Sequence, residues 1–146
     1  MDNKNGFTLI EVIFVLGALA ILLVLSAPIK FAVLDTQKEQ QFLTAFENDL
    51  LYMQSISYLS KDKVGLEIHA DYYKIVVTKN YKVKDIFQRS IPNDWKFDLL
   101  TIQDNFISFN SSGTIRQPGT IRLRTNKSMY KIVFPLGKGR CYIEKL

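Results

Sequence analysis

From Val12 to Ile29 the chain runs VIFVLGALAILLVLSAPI, 18 residues without a charge, beginning almost at the N-terminus. That approaches the roughly 20 residues a helix needs to cross a bilayer core. Glu11 stands directly before the run and is the sole charge between Phe7 and Ile29. A carboxylate at mid-depth in a membrane costs on the order of 2.5–3.5 kcal/mol. The run holds twelve Leu, Ile, Val or Phe residues, which together favour insertion by about 4 to 7 kcal/mol. Insertion therefore wins with Glu11 in place. An ionisable residue kept at such a cost is the first candidate functional residue. The bland alternative is a carboxylate resting at the interface, on the edge of an ordinary anchor.

A cleaved secretory signal fits this N-terminus poorly. Such a signal needs a basic leader, a shorter apolar stretch and a small-residue cleavage site beyond it. The leader MDNKNG carries one Lys, and Ala18-Leu19-Ala20 lies inside the run with ILLVL beyond it. Ala27 is followed by Pro28, whose fixed φ and missing N–H suit an extended, protease-bound strand badly.

The remaining composition narrows the function classes. At 146 residues the chain has room for one domain of ordinary size. A single Cys, Cys141, and a single His, His69, exclude an intrachain disulfide framework, a multi-Cys or His-rich metal site and most catalytic triads. No cofactor, metal or catalytic residue is expected.

The string Gly6-Phe7-Thr8-Leu9-Ile10-Glu11-Val12 joins the leader to the apolar run. It resembles the class III prepilin signature of type IV pilins and pseudopilins: a short polar leader ending in Gly, an aromatic residue, and Glu four residues beyond it. The resemblance implies that a membrane-embedded prepilin peptidase cuts between Gly6 and Phe7 and N-methylates Phe7. It implies that Glu11 pairs with the α-amine of a neighbouring subunit in a filament. The physics agrees, because a partner amine in the same layer removes most of the penalty of a buried carboxylate and fixes register between otherwise featureless helices. Gly17 and Pro28 are expected to loosen the helix locally.

Beyond Pro28 the pattern becomes one-sided. Leu43, Phe46, Leu50 and Met53, flanked by Phe42 and Ile56, follow helical spacing, while Gln37, Lys38, Glu39, Gln40, Glu47, Asn48 and Asp49 read as polar positions. A helix from Phe7 to about Leu59 would be roughly 80 Å long. From Lys61 the pattern changes to alternation. Residues 64–69 and 73–77 read as a hairpin around Ala70-Asp71, with short strands near Lys96–Leu100 and Phe106–Phe109. Asn110-Ser111-Ser112-Gly113 is a turn cluster. The C-terminus reads as a three-strand meander over Thr120–Arg124, Met129–Phe134 and Arg140–Glu144, turned at Asn126-Lys127-Ser128 and Gly137-Lys138-Gly139. The expected fold class is α+β, a pilin fold with a long helix on an antiparallel sheet. Its expected parts are a leader over 1–6, an apolar helix half over 7–29, an amphipathic half over 30–60 and a head over 61–146. Trp95 is expected as a core anchor.

The strings Phe109-Asn110-Ser111-Ser112-Gly113, Gly119-Thr120-Ile121-Arg122-Leu123, Tyr130-Lys131-Ile132-Val133-Phe134 and Gly139-Arg140 resemble the tail of the minor pilins of the GspH/FimT group. The small size narrows this to the competence-pilus minor pseudopilins of Gram-positive bacteria, with a type II secretion pseudopilin as the alternative. That resemblance implies a cytoplasmic-membrane subunit that passes into a surface pilus. Its partners would be major and minor pilins, the prepilin peptidase and the membrane, in a system that takes up DNA.

The charge is uneven. From Arg116 to Leu146 there are eight Lys/Arg and one acid, against eleven and thirteen in the remainder. Arg122 and Arg124 alternate with Ile121 and Leu123, so both point away from the core, and Lys131 joins them from the next strand. This face is either a solvated or partner-contacting surface or a DNA-phosphate patch. Cys141 alternates with Ile143, which favours core packing over an intermolecular disulfide. His69 reads as an exposed strand residue opposite Ile68.

Overall fold

The change from an apolar run to a one-sided stripe is also a change of structural unit. In the computed structural model the chain divides into two compact units between Gln41 and Phe42. The structure describes residues 8–60, 62–79, 82–137 and 140–146, with the side chains of 25–32 outside that description. Helix α1 (Leu9–Ser60) runs through both Gly17 and Pro28. It is followed by β1 (Lys63–Ile68), β2 (Tyr72–Lys79), β3 (Lys82–Ser90), β4 (Lys96–Leu99), β5 (Phe106–Phe109), β6 (Gly119–Arg124), β7 (Met129–Phe134) and β8 (Tyr142–Lys145).

In the N-terminal unit the described apolar side chains are exposed. Leu9, Ile10 and Phe14 are 81%, 71% and 79% exposed, as expected where a helix is apolar all round and has no core of its own to face.

The head is α+β, as expected, but its strands form two sheets where the sequence reading has one. All neighbours are antiparallel, in the orders β3-β2-β1-β5 and β4-β6-β7-β8. Strand β4 already belongs to the second sheet and β5 returns to the first, so the chain passes between the sheets three times. After Phe109 the chain turns through Asn110–Gly113, where Gly113 takes φ 72°, and makes a single bridge from Ile115 back to Phe109. Pro118 then offers no N–H to extend a ladder. Strand β3 is the second difference. The alternation in KVKDIFQRS is interrupted, because the register of β2 with β3 shifts between Ile75 and Val76, and a bulge defeats a period-2 reading.

The amphipathic stripe seats α1 on both sheets. Phe46 meets Tyr73 of β2 edge-on at 5.1 Å and Phe97 of β4 at 5.4 Å, and Phe42 meets Trp95 at 5.1 Å. Leu43, Phe46, Leu50, Met53 and Trp95 are buried with Leu66, Ile75, Ile107, Ile121, Leu123 and Ile132 in one core. Each such side chain contributes about 1.5–3 kcal/mol relative to exposure. On the outer face of the first sheet Phe106 lies flat over Gly65, and a Cβ there would overlap its ring.

Asp49 corrects the sequence reading. It is 7% exposed, one position from Leu50 on the sheet-facing side, and not a solvated polar residue. Its carboxylate accepts from Tyr73 Oη at 2.7 Å and from Arg89 Nε and Nη2 at 2.8 and 2.9 Å. One helix residue thereby holds β2 and β3 together, and the fork geometry of Arg suits the two carboxylate oxygens. Burial and the neighbouring Asp49 both push the Tyr73 hydroxyl well above its ordinary range, so it stays a donor.

Asp49→Ala leaves the Tyr73 hydroxyl and the Arg89 fork without their acceptor. A loss of about 2 to 3 kcal/mol in denaturant unfolding of the full chain in detergent is expected, against less than about 1.5 kcal/mol for Tyr73→Phe. An Asp49→Ala midpoint equal to that of the unsubstituted chain contradicts the role assigned to this carboxylate.

Candidate functional site

Two places collect the candidate residues: the start of α1 and the outward face of the second sheet. At the helix start Thr8 is the N-cap. Its Oγ1 accepts the Glu11 N–H at 3.4 Å, and its carbonyl accepts the Val12 N–H at 3.3 Å. Thr8-Leu9-Ile10-Glu11 has the capping-box spacing, which places Glu11 at the third helical position. A carboxylate in the first turn is favoured there by the helix dipole. Glu11 is exposed among exposed apolar side chains. Gly6 and Phe7 lie outside the described residues. Among the described residues no helix is long and apolar enough to cross a membrane; the expected span continues into positions 25–29, whose side chains are not described.

On the second sheet, cross-strand register sets the geometry. Arg122 is opposite Asp98 on one side and Lys131 on the other, and Lys131 is opposite Glu144. Ile121 and Leu123 are fully buried on the opposite face. The structure thus brings Arg122, Arg124 and Lys131 onto one surface, facing outward. It also supplies Asp98, an acid that the sequence count placed outside the C-terminal stretch. Arg124 grips Asp98 with Nε at 2.9 Å and Nη2 at 3.0 Å. Arg122 Nε is a buried atom with no hydrogen-bond partner among the described residues. The row Asp98, Arg122, Lys131, Glu144 therefore sets two bases between two acids and sums to zero, with Lys96 and Arg124 beside it on the same face. A single-strand reading could not find this, because Asp98 is 24 positions from Arg122 in the chain.

The other singled-out residues are structural. Cys141 is partly buried against the core beside Ile143. His69 corrects its expected place: it lies just past the end of β1, half-buried, with its ring stacked on Tyr72 at 4.4 Å and Nε2 3.5 Å from Glu67. The loop after β5 is tied to α1 by Ser57, which donates to the carbonyls of Phe109 and Asn110 at 3.1 Å each, and by Gln54, which donates to the Gly113 carbonyl at 2.8 Å. No cluster of metal-ligating side chains occurs among the described residues.

Residues 1–27 match a family described as the prokaryotic N-terminal methylation motif. The fold is similar to that of the minor pseudopilin EpsH from the Type 2 Secretion System of Vibrio cholerae, with a TM-score of 0.54 at 14% identity over 73% of this chain and 94% of that one. A methylation motif on an apolar helix followed by a two-sheet α+β head is the pattern of type IV pilins and pseudopilins, and the chain is similar to that family. Among individual members, it is 26% identical over 145 residues to "Competence protein ComGD" of Bacillus subtilis (strain 168), covering 99% of this chain and 96% of that protein.

Burial, with a smaller contribution from Glu47, pushes the Cys141 thiol from 9.0 up to about 11. The thiol is therefore protonated at neutral pH and a poor nucleophile. Alkylation of the folded chain is expected to rise with a midpoint near pH 11. At pH 8 it should run about a hundredfold slower than in the unfolded chain, in proportion to thiolate. A midpoint near that of a free thiol would show that Cys141 is not held in the core.

Proposed function

We propose that this chain is a minor pilin of a competence type IV pilus, required for pilus assembly and uptake of transforming DNA. The observation that carries the reading is the similarity, over almost the whole of both chains, to a protein named for competence. The capped apolar helix with Glu11 in its first turn supports it. In this reading the prepilin peptidase cuts between Gly6 and Phe7 and methylates Phe7. The chain is held in the cytoplasmic membrane by a single helix until assembly and lies on the cell surface afterwards. It works as a structural subunit, with no catalytic residue or cofactor of its own. Glu11 pairs with the new α-amine of a neighbouring pilin, which removes the cost of an isolated carboxylate in an apolar bundle.

The mixed-sign face of Arg122, Arg124 and Lys131 serves as a contact for another pilin. Interleaved acids and bases fix register against a partner of complementary pattern and disfavour wrong partners. The likeness of the fold to EpsH favours one second reading, a minor pseudopilin of a secretion system.

Gly6→Ala should block loss of the first six residues. Glu11→Ala should leave that processing intact and weaken assembly by about 3 kcal/mol, about a hundredfold in the assembly equilibrium, with a parallel fall in transformation. Normal piliation and transformation by Glu11→Ala cells would refute its role. If deletion of the gene abolishes protein secretion and leaves transformation untouched, the secretion reading replaces the competence one.

A further inference from the structure

Three lysines on the β2–β3 hairpin form a second basic surface, one that the charge count does not reveal. Lys79 is directly opposite Lys82, and Val77 directly opposite Lys84. Lys79, Lys82 and Lys84 line one depression of about 550 Å³ with Val77 and Val83, and all three are exposed. The β-bulge decides which face they share. Tyr73 and Ile75 face the core, and opposite them stand Arg89 and Phe87. In a regular strand Phe87 and Lys84, three residues apart, would point to opposite faces. The register shift between Ile75 and Val76 absorbs one residue and puts them on the same face.

One face of an edge strand therefore presents Lys82, Lys84, Phe87 and Arg89 in line. Lys79 adds to it from β2, and Tyr52 of α1 lies 6.1 Å from the Phe87 ring. Tyr52 is 46% exposed. Residues two apart on a strand are separated by about 6.6 Å, so the cations run along β3 from the point where Lys79 stands across from Lys82.

The counter-charges separate this surface from the C-terminal face. Among the described residues no carboxylate lies within ion-pairing distance of Lys79, Lys82 or Lys84. Asp85 points to the other face, where it meets Lys74 at 3.4 Å. Asp49 is occupied by Arg89. On the second sheet, by contrast, Asp98 and Glu144 stand in the same row as Arg122 and Lys131, where they would repel a continuous polyanion. Unpaired lysines in a line beside the exposed Tyr52 ring, which packs on the partly buried Phe87, are what a phosphate backbone needs: point charges for the phosphates, and a face on which a base can stack.

We propose that Lys79, Lys82 and Lys84, with Tyr52 and Phe87 beside them, form the surface through which this subunit contacts DNA. The proposal rests on the competence reading for its ligand, and it assigns DNA contact to the hairpin and away from Arg122, Arg124 and Lys131. Binding is sequence-independent and dominated by phosphate neutralisation. Three contacts give a log–log salt slope of about −2 on a single strand, a loss of about 20-fold between 50 and 200 mM salt.

The test is fluorescence anisotropy of the full chain in detergent with a labelled oligonucleotide, single-stranded and as duplex, across that salt range. A Lys79→Gln/Lys82→Gln/Lys84→Gln chain should lose at least the 20-fold that salt removes and lose its slope. Arg122→Gln/Arg124→Gln/Lys131→Gln should bind as the unsubstituted chain does. All these side chains are exposed or partly exposed, and unchanged unfolding midpoints confirm that both variants fold. Equal binding by the hairpin variant, or loss confined to the C-terminal variant, overturns the proposal. So does tighter lysine-dependent binding of polyglutamate than of DNA at equal charge, which would mark a surface for an acidic protein, or lysine-dependent binding to phosphatidylglycerol vesicles with DNA binding unaltered, which would mark a membrane surface. Cells that form pili and transform while the hairpin variant retains full DNA affinity refute the proposal and leave the pilin reading standing. DNA binding through the lysines by a chain dispensable for pili refutes the pilin reading alone.

Discussion

An α-helix that is apolar on every face has no stable place in water by itself. From Leu9 to Val24 large apolar side chains stand exposed all round α1. Lipid and the helices of other subunits are the two surroundings that satisfy such a segment. A lone carboxylate at Glu11 changes little in the first, since the apolar residues outweigh it. In the second it is decisive, because a packed bundle tolerates the charge only with a partner. The Thr8 cap matters for the same reason: it fixes where the helix starts, and so the depth at which Glu11 is presented.

The head solves the opposite problem, how to hold one face of the same helix firmly. Two four-stranded sheets meet α1 through Phe42 and Phe46, and Asp49 adds a directional tie to the β2–β3 pair. That tie anchors the strand whose far end carries Lys82 and Lys84, so the packing of the helix and the presentation of the lysines are coupled. The two basic surfaces then differ by what stands opposite them across the strands. The C-terminal face is laced with Asp98 and Glu144 and suits a protein neighbour. The hairpin face is not, and suits a polyanion.

Much of this was legible in the sequence because it depends on local periodicity. The uncharged run, the stripe Leu43–Phe46–Leu50–Met53 and most strands each follow a single repeat, and the burial of Ile121 and Leu123 is the reason Arg122 and Arg124 face outward. What escaped depends on pairing between distant segments. Asp49 looked solvated because its partners, Tyr73 and Arg89, arrive from strands 24 and 40 residues away. The neutralising Asp98 and the bulge that realigns Lys84 with Phe87 are invisible until the register is known. The division into two sheets depends on which strands pair, with β4 in the second and β5 in the first, and no alternation pattern encodes that.

The central claim is that other pilins cover the N-terminal half of α1 and that Glu11 sets their register. A photo-crosslinking residue in place of Leu16, on that exposed surface, tests it most directly in piliated cells. The account predicts an adduct joining this chain to the N-terminal helix of another pilin, identified by mass spectrometry, and its loss when Glu11 is replaced by Ala. Piliated cells in which the chain crosslinks to lipid alone, or in which the pilin adduct is indifferent to Glu11, would contradict it.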